Sequence, residues 1–342
     1  MGKALKASLV AIVCLLAAAC AGGREDGVIV IKFPHVVAPT TPKGKGAERF
    51  KQLVEQRLPG RVRVEVYPSG QLMNDDDSME ALAFGEVQMI AASLSKFDRL
   101  TKRFQVFDLP FLFPDIESVT RFQQSPEGRS LLGALADKGF LGLAFWHNGM
   151  KQFGAPRALR RPEDAAGLKF RIMESDVLLE QMRQIGGNAQ KMDFGEVYQA
   201  LQTGAIDAQE NTWSNIYSQK FFEVQDYLME TNHGYIGYLL AVNPDFWNGL
   251  PADIRAELEQ ILDQVTREVN GESSAINAEA LRKIIDSGAS TLGELTPEEL
   301  ESWRAAMLPV WKLFEDQIGP DIVQAARAAG SPETIASPDS SR

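Results

Sequence analysis

Val28-Ile29-Val30-Ile31-Lys32-Phe33, the segment 42–58, and Val62-Arg63-Val64-Glu65-Val66-Tyr67 decide the fold. The first is a run of β-branched and aromatic residues between turn formers, the mark of a buried strand. Pro42 opens a helix in which Ala47, Phe50, Leu53, Val54 and Leu58 share one face, and Pro59-Gly60 closes it. In the third stretch valines alternate with polar residues, as in a strand with one drier face. A helix over 78–84 and a strand over 87–92 follow. The order strand, helix, strand, helix, strand predicts an α/β fold whose parallel-rich sheet is covered by helices.

The same rhythm returns further along. Strands are expected at 139–146 and 168–173, a helix at 177–185 ended by Gly186-Gly187, and a helix at 194–203 closed by Gly204. Two α/β lobes are therefore predicted. Residues 251–287 read as one long helix with Ile254, Leu258, Ile261, Leu262, Val265 and Val269 as its apolar stripe. At ~1.5 Å per residue it reaches ~50 Å, so it is expected to run along both lobes. Gly271 and Ser273-Ser274 are the places where it would kink. Thr296-Pro297-Glu298-Glu299 is a capping box that starts a later helix. The Ser/Pro-rich tail, 331–342, is expected to be disordered.

Composition narrows the function. The 342 residues include 46 acidic and 35 basic side chains, a formal charge of -11, which argues against nucleic acid or an anionic membrane surface as partner. The only cysteines are Cys14 and Cys20, so neither a disulfide scaffold nor a thiolate metal site is available. Lys3 and Lys6 precede an apolar run at 9–19, and Ala17-Ala18-Ala19 precedes Cys20. Eleven apolar residues are too few for a membrane-spanning helix, so 1–20 reads as an export signal. Two processing routes stand: cleavage at the small residues, or a lipobox-like Leu15-Leu16-Ala17-Ala18-Ala19-Cys20 in which Cys20 is lipidated.

Catalytic signatures are missing from the sequence. There is no P-loop, no HExxH and no GxSxG elbow. His35, His147 and His233 are scattered, and Asp75-Asp76-Asp77 lacks the spaced oxygen ligands of a calcium loop, so it reads as a solvated turn before a helix at Ser78. No metal or cofactor is expected. What remains is a set of cations and amides in apolar surroundings. Lys151 follows Trp146-His147-Asn148-Gly149-Met150, and Arg171 lies inside Leu168-Lys169-Phe170-Arg171-Ile172-Met173. A charge in an apolar strand is costly unless paired. Arg171 is either half of an internal salt bridge or a fork awaiting a ligand carboxylate. Asn211 and Trp213 are equally open, as turn cap and core residue or as the amide and wall of a cleft.

The stretch Phe194-Gly195-Glu196-Val197-Tyr198-Gln199-Ala200-Leu201-Gln202-Thr203-Gly204-Ala205-Ile206-Asp207-Ala208-Gln209-Glu210-Asn211 resembles the signature of the solute receptors of tripartite ATP-independent periplasmic (TRAP) transporters. His147-Asn148-Gly149-Met150-Lys151-Gln152, Asn211-Thr212-Trp213-Ser214-Asn215 and Thr231-Asn232-His233-Gly234 resemble the four-carbon-dicarboxylate branch. The departures are Ala208, where Gly is usual, and Gly195, where Ser or Ala is commoner. Sialic-acid receptors carry arginine at the place of Lys151, which argues against that ligand.

The resemblance implies a periplasmic-binding-protein-like fold, two α/β lobes around a ligand cleft with a long helix spanning both. Lobe I is expected at 27–148 plus 237–276, and lobe II at 149–236 plus 277–330. It further implies that Arg171 pairs with a ligand carboxylate, Asn211 orients it, and Phe194 and Trp213 line the cleft. His35, Lys43, Ser93 and Lys151 would hold a second carboxylate or a hydroxyl. The expected protein is a monomeric, non-enzymatic periplasmic receptor, lipid-tethered at Cys20, that takes a small organic acid such as malate, succinate or fumarate to TRAP permease subunits. A sugar, keto or aromatic acid is the alternative ligand, and an exported hydrolase the remote alternative function.

Overall fold

The computed structural model describes residues 24–25 and 27–331. The expected signal segment 1–20, the lipidation at Cys20 and the tail after residue 331 lie outside the described residues. No helix among those described is long and apolar enough to cross a membrane.

The opening pattern folds as it reads. Val28–Pro34 pairs in parallel with Val62–Tyr67, from Ile29 opposite Val62 to Pro34 opposite Tyr67, and helix Pro42–Arg57 connects them. Phe50, Leu53 and Val54 pack beneath this pair with Ile31, Phe33 and Val64. The third strand departs from expectation. Met89–Ser93 joins a separate sheet, in the order Met89–Ser93, Tyr235–Val242, Leu141–Met150, with both pairings antiparallel. The two small sheets meet where Gln88 N donates to Lys32 O, and together they form the first lobe. The cluster Asp75-Asp76-Asp77 is not a turn before the helix. It is the first turn of helix Asp75–Ala83, capped by Asn74, where acidic side chains complement the partial positive charge of the helix start.

The second lobe is built on one six-stranded mixed sheet, ordered Thr291–Glu294, Tyr227–Glu230, Gln152–Ala155, Ala208–Asn211, Lys169–Ile172, Asn188–Lys191. Two strands of the first lobe continue into it. Leu141–Met150 and Gln152–Ala155 are separated by Lys151 alone, and Tyr227–Glu230 reaches Tyr235–Val242 through residues 231–234. Lys151 N donates to Gly234 O at 2.8 Å, so the two crossings are tied side by side.

A third connection is helix Ala252–Ser287, 36 residues without a break. Ile254, Leu258, Ile261, Leu262, Val265 and Val269 share a core with Phe33, Phe50 and Trp146, while Ala280 and Ile284 pack with Val197, Ile206 and Ile216 of the second lobe. The kink expected at Gly271 and Ser273 does not interrupt it. Gly271 has no neighbour within 4 Å of a Cβ position, and buried Ser273 keeps its hydroxyl on Asn270 O inside the helix. Trp303 and Met307 of helix Pro297–Met307 belong with the second lobe's Phe153 and Phe170. The last two helices, Pro309–Ile318 and Pro320–Gly330, pack differently: Val310, Phe314, Ile322 and Ala326 join Phe107, Phe122, Ile90 and Leu239 of the first lobe.

Candidate functional site

Between the lobes lies a cavity of about 240 Å³. The first lobe contributes Lys43, Asn74, Ser93 and Tyr238 to its wall, and the second contributes Arg171, Phe194, Asn211 and Asn215. The volume lies below the ~300–1,000 Å³ of sites that hold drug-sized ligands, so the occupant is small.

Lys43 is in the first turn of helix Pro42–Arg57, whose cap Thr41 accepts from Gly44 N. Gly44 is required here, because a Cβ would lie 2.2 Å from Ala38 O. That tight start turns Lys43 inward, where it is fully buried. Its Nζ donates to Ala91 O at 2.9 Å and sits 3.9 Å above the Tyr238 ring. No carboxylate among the described residues is in ion-pair range. Burial lowers its pKa to about 8, with the distant charge of Asp75 opposing.

Arg171 occupies strand Lys169–Ile172 and is 3% exposed. Its Nε and Nη2 both donate to Met192 O, at 3.0 and 2.9 Å, and the guanidinium lies 6.0 Å from the Phe194 ring centre. Among the described residues it has no ion pair. The salt-bridge alternative left open by the sequence is thus not the one adopted. Burial lowers its pKa to about 10, against the attraction of Glu210, Asp193 and Asp75, so it stays charged at neutral pH.

Asn211 ends strand Ala208–Asn211. Its Oδ1 accepts from Thr212 N at 3.0 Å and Asn215 Nδ2 at 2.8 Å, which leaves its own Nδ2 to face the cavity. Ser93 also lines the space, its Oγ 3.2 Å from Met173 Sδ across the cleft. At the mouth, Asp193 of the second lobe takes Lys96 at 3.4 Å and Asn74 at 3.1 Å, both from the first. Lys102 meets Asp176 at 2.9 Å, and Arg99 pairs with Glu174. These contacts bridge the two lobes at the edge of the cavity.

Three sequence candidates are not brought to this wall. Lys151 is 1% exposed and its Nζ is bound to Glu210 Oε1 at 2.7 Å, while Glu210 Oε2 meets His233 Nε2 at 2.8 Å. His233 stacks on Phe153 at 3.9 Å, and its Nδ1 meets Thr231 Oγ1 at 2.7 Å. Burial alone would raise the Glu210 carboxyl, but Lys151 and His233 outweigh it and hold the pKa at about 2. This cluster sits where the strands cross between lobes. Trp213 is a core residue packed with Val197, Ile216 and Phe221. His35 is buried edge-on to Phe33, and neither ring nitrogen has a partner. Burial, then the nearby charge of Lys43, lowers its pKa to about 3.

The cavity also holds Asn74, Lys96, Asp193, Asn215 and Tyr238, which sequence reasoning did not select as site residues. Asn215 had a signal: it stands one helical turn after Asn211. Tyr238 had one too, as one of two phenols in the fully buried strand Tyr235–Val242. Among the described residues no group of three or more His, Cys, Asp or Glu could hold a metal ion.

The sequence profile of the bacterial extracellular solute-binding proteins, family 7, matches residues 33–317. The chain belongs to this family. It is 47% identical over 326 residues to the C4-dicarboxylate-binding periplasmic protein DctP of Vibrio cholerae, covering 95% of this chain and 97% of the relative. Among solved structures, the TRAP periplasmic solute-binding protein of Shewanella oneidensis with bound succinate superposes with a TM-score of 0.88 at 50% identity, covering 89% of this chain and all of that one. The counterpart from Pseudomonas aeruginosa with bound L-malate gives 0.82 at 51% identity, over 83% and 99% of the two chains. The two-lobed fold is that of the family.

Proposed function

We propose that this chain is the extracytoplasmic receptor of a TRAP transporter and that it binds a small dicarboxylate of the malate, succinate or fumarate type for delivery to the membrane permease. One observation carries the ligand class. Arg171 from one lobe and Lys43 from the other are buried against a single cavity with no carboxylate partner among the described residues. A buried cation without a counter-charge is costly, and a dianion supplies two counter-charges at once. Because its ends engage different lobes, it also favours the closed population over the open one. Arg171 takes one carboxylate, Asn211 orients it, Lys43 takes the other, and Phe194 and Ser93 complete the wall. Lys151 is committed to Glu210, and Trp213 and His35 support the wall from behind.

No chemical step belongs to this function. Periplasmic location and a lipid tether at Cys20 are parts of the same proposal, supported by the basic and apolar leader and by the lipobox-like residues 15–20, and the receptor is proposed to act as a monomer. The small cavity favours a four-carbon acid over a sugar or aromatic acid.

Thermal melting against mono- and dicarboxylates, sugar acids and aromatic acids tests the ligand class. A true ligand at 100 times its dissociation constant stabilises by ~2.7 kcal/mol, a rise of several degrees. A shift with a sugar acid and none with any dicarboxylate would refute it. The Lys43 ammonium adds a pH dependence. Its lowered pKa, about 8, means that ligand-free protein loses this charge as pH rises through 8, whereas a bound dianion holds the proton on. Affinity should therefore be full below pH 8 and fall by about tenfold per unit above it. Calorimetry at pH 7 and 9 reads this directly, and equal affinity at the two would remove Lys43 from the site.

A further inference from the structure

The seam between the lobes splits its charges by sign. Lys96, Arg99 and Lys102 belong to the first lobe, on the 3₁₀ turns Leu94–Arg99 and Lys102–Asp108, whose Leu94, Phe97, Phe104 and Phe107 are buried in that lobe's core. Three residues make one turn of such a helix, so Lys96 and Arg99 share an edge and Lys102 opens the next turn beside them. The acids that meet them belong to the second lobe. Glu174 and Asp176 follow strand Lys169–Ile172, and Asp193 follows strand Asn188–Lys191. Lys96 meets Asp193, Arg99 meets Glu174 and Lys102 meets Asp176, with the cation on the first lobe each time. Further along the same seam Gln181 Nε2 donates to Asp108 O at 2.5 Å.

These pairs differ in kind from Lys151 and Glu210, which are sealed in together. Two of the cations have a second acid on their own lobe: Lys96 Nζ lies 2.8 Å from Asp76 and Lys102 Nζ lies 3.1 Å from Asp98. The Arg99 side chain is 74% exposed, and Asp176 has Lys191 of its own lobe at 3.7 Å. Parting the lobes therefore strands no buried charge, because each cation keeps either a carboxylate or water. The pairs attract when the lobes meet and release without a large penalty.

We propose that Lys96, Arg99 and Lys102 with Asp193, Glu174 and Asp176 form an electrostatic clasp that stabilises the meeting of the lobes and so raises affinity for the bound acid through contacts the acid does not make. Arg99, Lys102, Glu174 and Asp176 are not on the cavity wall. A ligand that needs both lobes is held more tightly when the joined arrangement is itself favoured. The clasp rests on the receptor function given above, and the dicarboxylate supplies only the probe.

Calorimetry with succinate compares the wild type with Glu174→Gln/Asp176→Asn. Binding is expected to weaken about three- to tenfold, the range for two lost ion pairs of this exposure. The difference should shrink to within about twofold in 1 M NaCl, where the Debye length is ~3 Å. Bulk attraction predicts the opposite sign, since removing two negative charges near the site of a dianion would tighten binding. Arg99→Glu and Glu174→Arg should each weaken binding singly and recover most of it together. If circular dichroism shows the first double variant to be unfolded, Glu174→Gln alone takes its place, with an expected loss of about two- to fivefold. Equal or tighter binding by the neutralised variant, or no recovery on exchanging the two charges, would overturn the clasp. Small-angle scattering of the ligand-free chain separates this from the ligand class: at low salt Glu174→Lys/Asp176→Lys is expected to have a larger radius of gyration than the wild type. If succinate does not bind the wild type, the dicarboxylate reading fails and scattering decides the clasp, with equal radii overturning it.

Discussion

Arg171→Ala is expected to weaken dicarboxylate binding by at least about a hundredfold while leaving the ligand-free protein as stable as before, or more so. The first half follows from charge-assisted hydrogen bonds worth about 1.5–3 kcal/mol each, of which a guanidinium makes two to one carboxylate. The second half follows from what surrounds the side chain. Arg171 is 3% exposed and its Nε and Nη2 hydrogen bonds end on one carbonyl, Met192 O, with no ion pair among the described residues. Removing an uncompensated buried cation relieves a desolvation cost. Calorimetric titration and a ligand-free melt check the two halves separately. A melt lowered by more than a few degrees would mean that Arg171 serves the fold, and unchanged affinity would mean that it does not serve the ligand.

Glu210→Ala is expected to do the reverse to stability. It strands the Lys151 ammonium, buried at 1% exposure, and removes the acceptor of His233. Breaking such a pair costs about 3–5 kcal/mol, because one charge stays behind without a partner. For a chain of this length, with an unfolding entropy of about 2.1 cal/mol/K per residue, that lowers the melting temperature by roughly 4–8 °C. The double variant Lys151→Met with Glu210→Leu should recover much of the loss, since it takes both charges out together. A Glu210→Ala melt within about 2 °C of the wild type would show that the cluster contributes little. The contrast between Arg171 and Lys151 is informative: both are basic and both lie in apolar sequence, yet removing Arg171 is predicted to cost affinity and stranding Lys151 to cost stability.

That contrast marks where sequence reasoning stops. Local patterns placed the strand at Val28–Pro34, the helix at Pro42–Arg57 and the long helix Ala252–Ser287, because hydrophobic period and caps are written within a few residues of each other. Sheet membership is not local. Met89–Ser93 pairs with Tyr235–Val242, far along the chain, and nothing near residue 89 encodes that choice. The same holds for charges. Whether Arg171 or Lys151 is free depends on which of them Glu210 reaches, and Glu210 is 59 residues from Lys151. Glu210 and Asn211 are adjacent in one strand, yet alternation sends one to the strand crossing and the other to the cavity. Of the residues to which the family resemblance gave a role, Arg171, Asn211, Phe194, Lys43 and Ser93 line the cavity, and Lys151, Trp213 and His35 do not.

The return of the last two helices to the first lobe has a practical side. Val28–Pro34 begins in that lobe, and Pro320–Gly330 ends against its Phe107 and Phe122. Coupling through either chain end, whether by an acyl group, an affinity handle or a sensor surface, therefore loads a single lobe. The six-stranded lobe is then not itself held by the attachment.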